Sequence, residues 1–322
     1  MSLLEKIRSG IMGVAVGDAL GVPFEFLSKD EMKRNPAETM VGYGTHRQPV
    51  GTWSDDSSLT FCLMEGLLDG FNTKNIADKF IAWYDESYWT PHGVVFDIGV
   101  TTRQSIFYMK EGHTPEICGG MDEYSNGNGS LMRILPLVFF LKNTDNIEER
   151  YQIIKDVSSL THAHLRSVLA CFIYVEYGLE LLNSSDKIKA YHVIKDKVNA
   201  FLETKDLNPK ELGFYFDVLQ EDIYKIDEKR ISGSGYVVNS LKASLWCFMN
   251  TNTYEDAVIS AVNLGEDTDT TAAITGGLAG IYYGLDSIPM EWRDKVVRRK
   301  DIEGLILKFN KSLKNETNNK II

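Results

Sequence analysis

Cysteine is scarce in this chain, with four in 322 residues. Cys62, Cys118, Cys171 and Cys247 stand far apart, and no two make a Cys-x-x-Cys pair. That spacing argues against a disulfide framework and against a zinc site. Three of the four fall inside apolar helical patterns, where cysteine acts as a small buried hydrophobe. Basic charge is also short, at 34 Lys and Arg against 45 Asp and Glu, a formal net charge of −11. Without a basic stripe interleaved with aromatics, binding to a nucleic-acid backbone is not expected. Apolar runs are brief. Ile134 to Leu141, interrupted by Pro136, is far too short to span a bilayer. The amino terminus, Met1-Ser-Leu-Leu-Glu-Lys, lacks a basic region followed by an apolar run and a small-residue cleavage site. A soluble protein of the cytoplasm, with no membrane partner, is the expectation. Sustained apolar–polar alternation is almost missing too, which excludes a fold built on half-buried strands.

What the chain has is helical periodicity on a globular composition, 43% hydrophobic and 25% charged. Leu165, Val168, Leu169, Phe172 and Ile173 follow the three-and-four spacing of one helix face, as do Ile302, Leu305, Ile306, Phe309 and Leu313. Similar patterns over 57–70, 75–87, 147–160, 236–249 and 254–264 predict an all-α protein. The polar stretches 183–189, 205–210 and 227–235 read as surface loops. One domain over 1–314 and a frayed polar tail over 315–322 complete the expected organisation.

Two of the expected helices are rich in small residues: Gly10, Gly13, Ala15, Gly17, Ala19 and Gly21 in one; Ala272, Ala273, Gly276, Gly277, Ala279 and Gly280 in the other. Each glycine inside a helix costs about 1 kcal/mol relative to alanine, so the set implies close approach of two helix axes. Each acidic cluster opens a helix: Trp53-Ser-Asp-Asp-Ser57 one of them, Glu266-Asp-Thr-Asp-Thr270 the small-residue one. N-capping needs only one acceptor and suits one more acid near the positive helix end. Asp55, Asp56, Asp267 and Asp269 supply four carboxylates, beside the hydroxyls of Ser54 and Thr270. If the clusters meet, the carboxylates repel severely unless a cation joins them. Mg²⁺ or Mn²⁺, which favour all-oxygen ligation, fit that set, with room for two ions.

Several of the remaining polar elements read in two ways, and His162 by itself reads as a surface or satisfied polar residue. Gly127-Asn128-Gly129-Ser130 precedes a helical pattern starting near Leu131, so it is either a loop with an N-cap or a cradle for a phosphate. His162 precedes a helix expected from about Ala163. Tyr236 opens an apolar helix, as a core residue or as a platform for adenine. Asp18 is expected to accept backbone hydrogen bonds near a helix end, and Asp97 lies in a loop rich in Gly, Pro and aromatics.

Taken in order, these motifs resemble the ADP-ribosylglycohydrolase family, including the dinitrogenase reductase-activating glycohydrolases. The resemblance begins at Gly17-Asp-Ala-Leu-Gly-Val-Pro-Phe-Glu25 and Gly51-Thr-Trp-Ser-Asp-Asp-Ser57. It continues through Phe96-Asp-Ile-Gly-Val-Thr-Thr102, Gly127-Asn-Gly-Ser-Leu-Met-Arg133 and Thr161-His162. It ends at Gly235-Tyr-Val-Val and Asn263-Leu-Gly-Glu-Asp-Thr-Asp-Thr-Thr271. It implies a compact orthogonal multi-helix bundle with a pair of Mg²⁺ or Mn²⁺ ions. It also implies hydrolysis of the bond between ADP-ribose and an acceptor, either an ADP-ribosylated protein (arginine-linked first) or a small-molecule conjugate. By position it assigns Ser54, Asp55, Asp56, Asp267, Asp269 and Thr270 to the metals and Glu25 and Asp97 to catalysis. Gly127, Asn128, Gly129, Ser130, Leu131, Met132, His162, Gly235 and Tyr236 fall to the substrate. Glu266 departs from a frequent Gly, and Val100 from a frequent Asn. Competing readings are a metal-dependent phosphohydrolase of nucleotide diphosphates and a non-catalytic ADP-ribose-binding or structural relative.

Overall fold

The first helix, Leu3–Gly21, starts from a capping box in which Ser2 and Glu5 satisfy each other's backbone N–H groups. From Ser9 to Gly21 every residue is buried, because protein covers it on all sides. Its main partner is the small-residue helix Thr268–Tyr283, here called the closing helix. The two run antiparallel, and their glycines meet in register. A Cβ placed on Gly13 would lie 2.2 Å from the carbonyl oxygen of Gly276, one on Gly17 2.2 Å from that of Ala272, and one on Gly280 2.1 Å from that of Ser9. Only residues without a side chain allow such backbone contact, so the glycines that weaken each helix alone are what join the pair. Tyr254 Oη–H donates to the Gly13 carbonyl (2.7 Å) and Tyr174 Oη–H to that of Ile274 (2.9 Å), tying surrounding helices to the same axis.

Around this pair the computed structural model describes residues 1–319, with α-helices at Asp55–Gly66, Thr73–Glu86, Val100–Lys110, Ile147–Ser159, Leu165–Leu181, Lys187–Glu203, Val237–Met249 and Tyr254–Val262 among others. No strand occurs among the described residues; only isolated bridges do, at Tyr43–Gln48, Gly120–His162 and Gly127–Tyr236. The all-α bundle expected from periodicity is what forms, and its buried apolar side chains make one continuous core. All four cysteines are free and buried.

Three expectations need amendment. No regular helix begins near Leu131: residues 129–133 form turns, and the helix that follows, Pro136–Phe140, starts where Pro136 can occupy its first turn. The polar residues from 315 continue the final helix, Arg299–Asn319, since no Gly or Pro after Gly304 stops it; residues 320–322 lie outside the described part. The stretch Leu3–Phe24 is long and apolar enough, by length and composition, to cross a membrane, with mean hydropathy 1.2, yet 89% of the window is buried inside the protein. Its apolar surface faces the closing helix and the core.

Candidate active site

The close packing of the two central helices decides where the acidic clusters sit. At Gly21 an added Cβ would stand 2.3 Å from Asp269 Cα, so the end of the first helix touches the start of the closing helix. Thr268 Oγ1–H donates to the Gly21 carbonyl at 2.8 Å. Asp18, one turn back, reaches across to the start of helix Asp55–Gly66. Its carboxylate accepts from Ser54 N–H (2.9 Å), Ser57 N–H (3.0 Å) and Ser57 Oγ–H (2.5 Å). The expected backbone-accepting role of Asp18 is therefore met, on a neighbouring helix rather than its own. Ser54 caps that helix, and its hydroxyl donates to Asp56 Oδ2 at 3.0 Å.

Across the gap, Thr270 Oγ1–H donates to the same Asp56 oxygen at 3.2 Å, joining motifs 214 residues apart. The two acidic clusters form one site. Asp18, Asp56 and Asp269 bring three carboxylate oxygens within 4.8 Å of one another; Glu25, Asp267 and Asp269 do the same, as do Glu25, Asp97 and the ring of His46. Burial and mutual repulsion push the carboxyls of Asp55, Asp56 and Asp269 well above their ordinary range. For Asp267 and Asp97 burial is the main cause of a rise. Asp18 rises to about 6 and Glu25 to about 7, burial leading in both. Asp56 Oδ1 and Asp269 Oδ2 are buried without a hydrogen-bond partner. Orphaned, mutually repelling oxygens of this kind suit a hard divalent cation and little else. The donor set fits the metal expected from the sequence.

Over these carboxylates opens a cleft of about 380 Å³. Glu25, Asp55, Asp97, Asp267 and Thr270 line it, together with Gly127, Asn128, Gly129, Met132, His162 and Gly235. Asn128 Nδ2–H donates to Asp267 Oδ2 (2.7 Å) and to Ser240 Oγ (2.9 Å), pinning the glycine loop to the acidic floor. Two backbone bonds hold the loop from the other side, Asn128 N–H to the Gly235 carbonyl (3.1 Å) and Val237 N–H to the Asn126 carbonyl (3.0 Å). His162 is buried beneath Gly129, its Nδ1 within 2.8 Å of Thr161 Oγ1. Burial drops its pKa to about 3, so it acts as a neutral imidazole.

Ser130 and Leu131 turn their side chains fully into the core, and the Tyr236 ring is not among the groups facing the cleft. These three are supports of the loop: Ser130 Oγ accepts from Ser158 Oγ–H at 3.0 Å, and Tyr236 is the N-cap position of helix Val237–Met249. Two further neighbours of the site have no role assigned by the sequence motifs. Arg133, wholly buried, donates to the Gly129 carbonyl and lies over the Phe80 ring at 4.9 Å. His46 contacts the Glu25 carboxylate. The Gly-Ser-Leu-Met-Arg run could have flagged Arg133 as a buried tether; nothing periodic flags His46.

A family model described as ADP-ribosylglycohydrolase matches residues 1–319. The chain belongs to the ADP-ribosylglycohydrolase family. Among its relatives, a protein of Serratia proteamaculans named ADP-ribosylarginine hydrolase Tri1 is 32% identical over 94% of this chain and 78% of its own length. The ADP-ribosyl-[dinitrogen reductase] glycohydrolase of Rhodospirillum rubrum is 27% identical over 92% of this chain and 91% of its own. A solved structure titled ADP-ribosylglycohydrolase-related protein complex is similar at a TM-score of 0.79 and 30% identity, covering 97% of this chain and 99% of that one. The enzyme class expected from the motifs accords with this ADP-ribosylglycohydrolase membership.

Proposed function

We propose that this ADP-ribosylglycohydrolase hydrolyses the bond between the distal ribose of ADP-ribose and an acceptor, with arginine-linked ADP-ribose on a protein as the substrate. The observation that carries the reading is the meeting of the two acidic clusters, joined by Thr270 to Asp56, beneath a cleft that Asp55 and Asp267 line together with the Gly127–Gly129 loop. Relatives at 32% and 31% identity that carry the name ADP-ribosylarginine hydrolase support the arginine linkage.

In this reading Ser54, Asp55, Asp56, Asp267, Asp269 and Thr270 hold two divalent cations, Mg²⁺ or Mn²⁺. When bound, such ions supply Lewis acidity and a more acidic water. The protein's own part is positional and electrostatic. Asn128 fixes Asp267, and the glycine loop lets a diphosphate approach backbone N–H groups without a side chain between. Neutral His162 supports that loop from below. Glu25, held up to about 7 by burial, can accept a proton from an attacking water near neutral pH. The carboxylates of Asp97 and Glu25 favour positive charge developing on the sugar as the glycosidic bond breaks. Residence in the cytoplasm belongs to the same reading, since buried unpaired cysteines suit a reducing compartment.

The test is to incubate the protein with ADP-ribosylarginine and Mg²⁺ or Mn²⁺ and separate the products. Free ADP-ribose is the expected product. AMP with phosphoribosylarginine points instead to a phosphohydrolase, and no turnover on a panel of arginine-, serine- and nucleobase-linked conjugates points to a binding protein.

A further inference from the structure

Seven non-glycine residues have positive φ in the described chain, and four of them lie in the segments that surround one contact. They are Phe26 (φ 68°), Tyr43 (φ 69°), Arg47 (φ 53°) and Glu266 (φ 64°). Such conformations are unfavourable for residues with a side chain and persist only where the surroundings enforce them, most often at functional sites. The contact they enclose is His46 Nε2 against Glu25 Oε2.

The enforcing structure can be followed bond by bond. Residues 43–48 make a tight turn, closed by Tyr43 N–H donating to the Gln48 carbonyl at 2.6 Å. The turn sits on the backbone just before Glu25: Thr45 N–H donates to the Pro23 carbonyl at 3.0 Å, and Thr45 Oγ1–H to the Glu25 carbonyl at 2.7 Å. Gly44 (φ 51°) presses against the same place, where an added Cβ would be 2.0 Å from the Pro23 oxygen. From the opposite side, Phe26 N–H donates to the Glu266 carbonyl and Glu266 N–H to that of Leu27, each at 2.6 Å. The imidazole of His46 lies between two phenyl rings, Phe26 at 5.8 Å and Phe96 at 5.4 Å between centroids. Its plane and its reach are thus both set.

We infer that His46 is a positioning residue for Glu25, acting through an Nε2–H donated to Oε2. The need for it follows from the site. Glu25 is 6% exposed and faces the carboxylates of Asp97 and Asp267, which repel it. A donor on one oxygen holds the side chain against that repulsion and leaves Oε1 for water or the distal ribose. The inference rests on the glycohydrolase reading given above, and it assigns His46 no contact with substrate.

Two variants separate the donor from the ring. His46→Phe keeps the aromatic packing and removes the N–H; His46→Gln loses the ring but presents an amide N–H at a similar reach. Misplacing a catalytic group costs on the order of 100-fold. The expectation is that His46→Phe lowers kcat by about that factor while KM and the Kd for ADP-ribose change less than about three-fold. His46→Gln should recover at least about ten-fold over His46→Phe. On a Glu25→Gln background, His46→Phe should add little further loss, because both changes act on one group. Normal kcat in His46→Phe, failure of His46→Gln to rescue, or full additivity in the double variant would each overturn the proposal. A readout independent of turnover is the ¹⁵N spectrum of the imidazole: the His46 Nε2 signal should move in Glu25→Gln, and an unmoved signal overturns the contact. Wild-type enzyme without activity on every conjugate counts against the glycohydrolase reading, while the nitrogen spectrum still decides the pairing.

Discussion

Gly17→Ala is a one-carbon change with a calculable cost. The new Cβ would stand 2.2 Å from the Ala272 carbonyl oxygen and 2.6 Å from its carbon. Close carbon–oxygen contacts in proteins sit near about 3.3 Å, so a backbone carbonyl must retreat by about 1 Å. That carbonyl belongs to the closing helix, which cannot yield locally. Overpacking of this kind costs about 1–3 kcal/mol, and the gain from replacing a helical glycine by alanine is about 1 kcal/mol. With a rigid backbone the upper figure applies, giving a net loss of about 2 kcal/mol. At a urea slope of about 3 kcal/mol/M the midpoint should fall by about 0.7 M, followed by far-UV circular dichroism. Gly304→Ala is the control: its Cβ would meet nothing within 4 Å on the final helix, so that variant should gain up to about 1 kcal/mol. A Gly17→Ala protein as stable as wild type, or more so, refutes the account of why these helices are glycine-rich.

Chelation with EDTA should abolish hydrolysis, Mg²⁺ or Mn²⁺ should restore it, and Asp55→Ala or Asp269→Ala should each lose nearly all turnover; full activity in metal-free protein contradicts the site. Glu25→Gln should slow single-turnover hydrolysis by about 100- to 10,000-fold with ADP-ribose still binding, as measured by rapid quench and titration calorimetry. Gly129→Val should weaken ADP-ribose binding and also lower stability, since a Cβ there meets His162 Cε1 at 2.8 Å and Thr102 Oγ1 at 3.0 Å; unchanged calorimetric affinity in variant protein shown to be folded by circular dichroism would remove the loop from the ligand. The pH dependence of the metal-free protein has a definite sign. Folding raises Asp18 to about 6 and Glu25 to about 7, so both hold their protons more tightly when folded. The stability this contributes is complete below the ordinary carboxylate range and is lost as pH rises through about 6 and 7. The melting temperature in EDTA should fall across that window and recover with Mg²⁺; a flat profile in EDTA counts against the buried cluster.

How far the sequence could be read depended on whether a residue belonged to a regular pattern. The helix expected over 57–70 forms as Asp55–Gly66, and that over 147–160 as Ile147–Ser159, because three-and-four spacing reports directly on a buried face. The acidic clusters were legible as helix starts, and their charge alone required that something bring them together. Leu131 was misplaced because its apolar neighbours fill the core from a run of turns, which periodicity cannot distinguish from a helix. His46 stayed hidden for a different reason. Its position depends on left-handed backbone at Tyr43 and Arg47, residue types that give no sign of it. Glu266 is the informative exception: at φ 64° it holds a conformation that favours glycine, which accords with the glycine expected there from the resemblance.

The antiparallel union of the first and the last-third helices also fixes an order of events during synthesis. Gly13 leaves the ribosome more than 260 residues before Gly276, so the glycine stripe of the nascent chain has no backbone to meet until most of the protein exists. Pairings of such sequence separation form late and slowly. The acidic floor inherits that delay, because Asp267 and Asp269 arrive with the closing helix and Asp55 and Asp56 wait for them. A chain stopped short of Thr270 therefore cannot be a weaker enzyme; it is an incomplete one, with its glycine-rich first helix uncovered and open to aggregation. On the two-cation reading proposed above, divalent-cation binding would mark the arrival of the closing helix, and a series of ribosome-released fragments should acquire it in a single step once that helix is present.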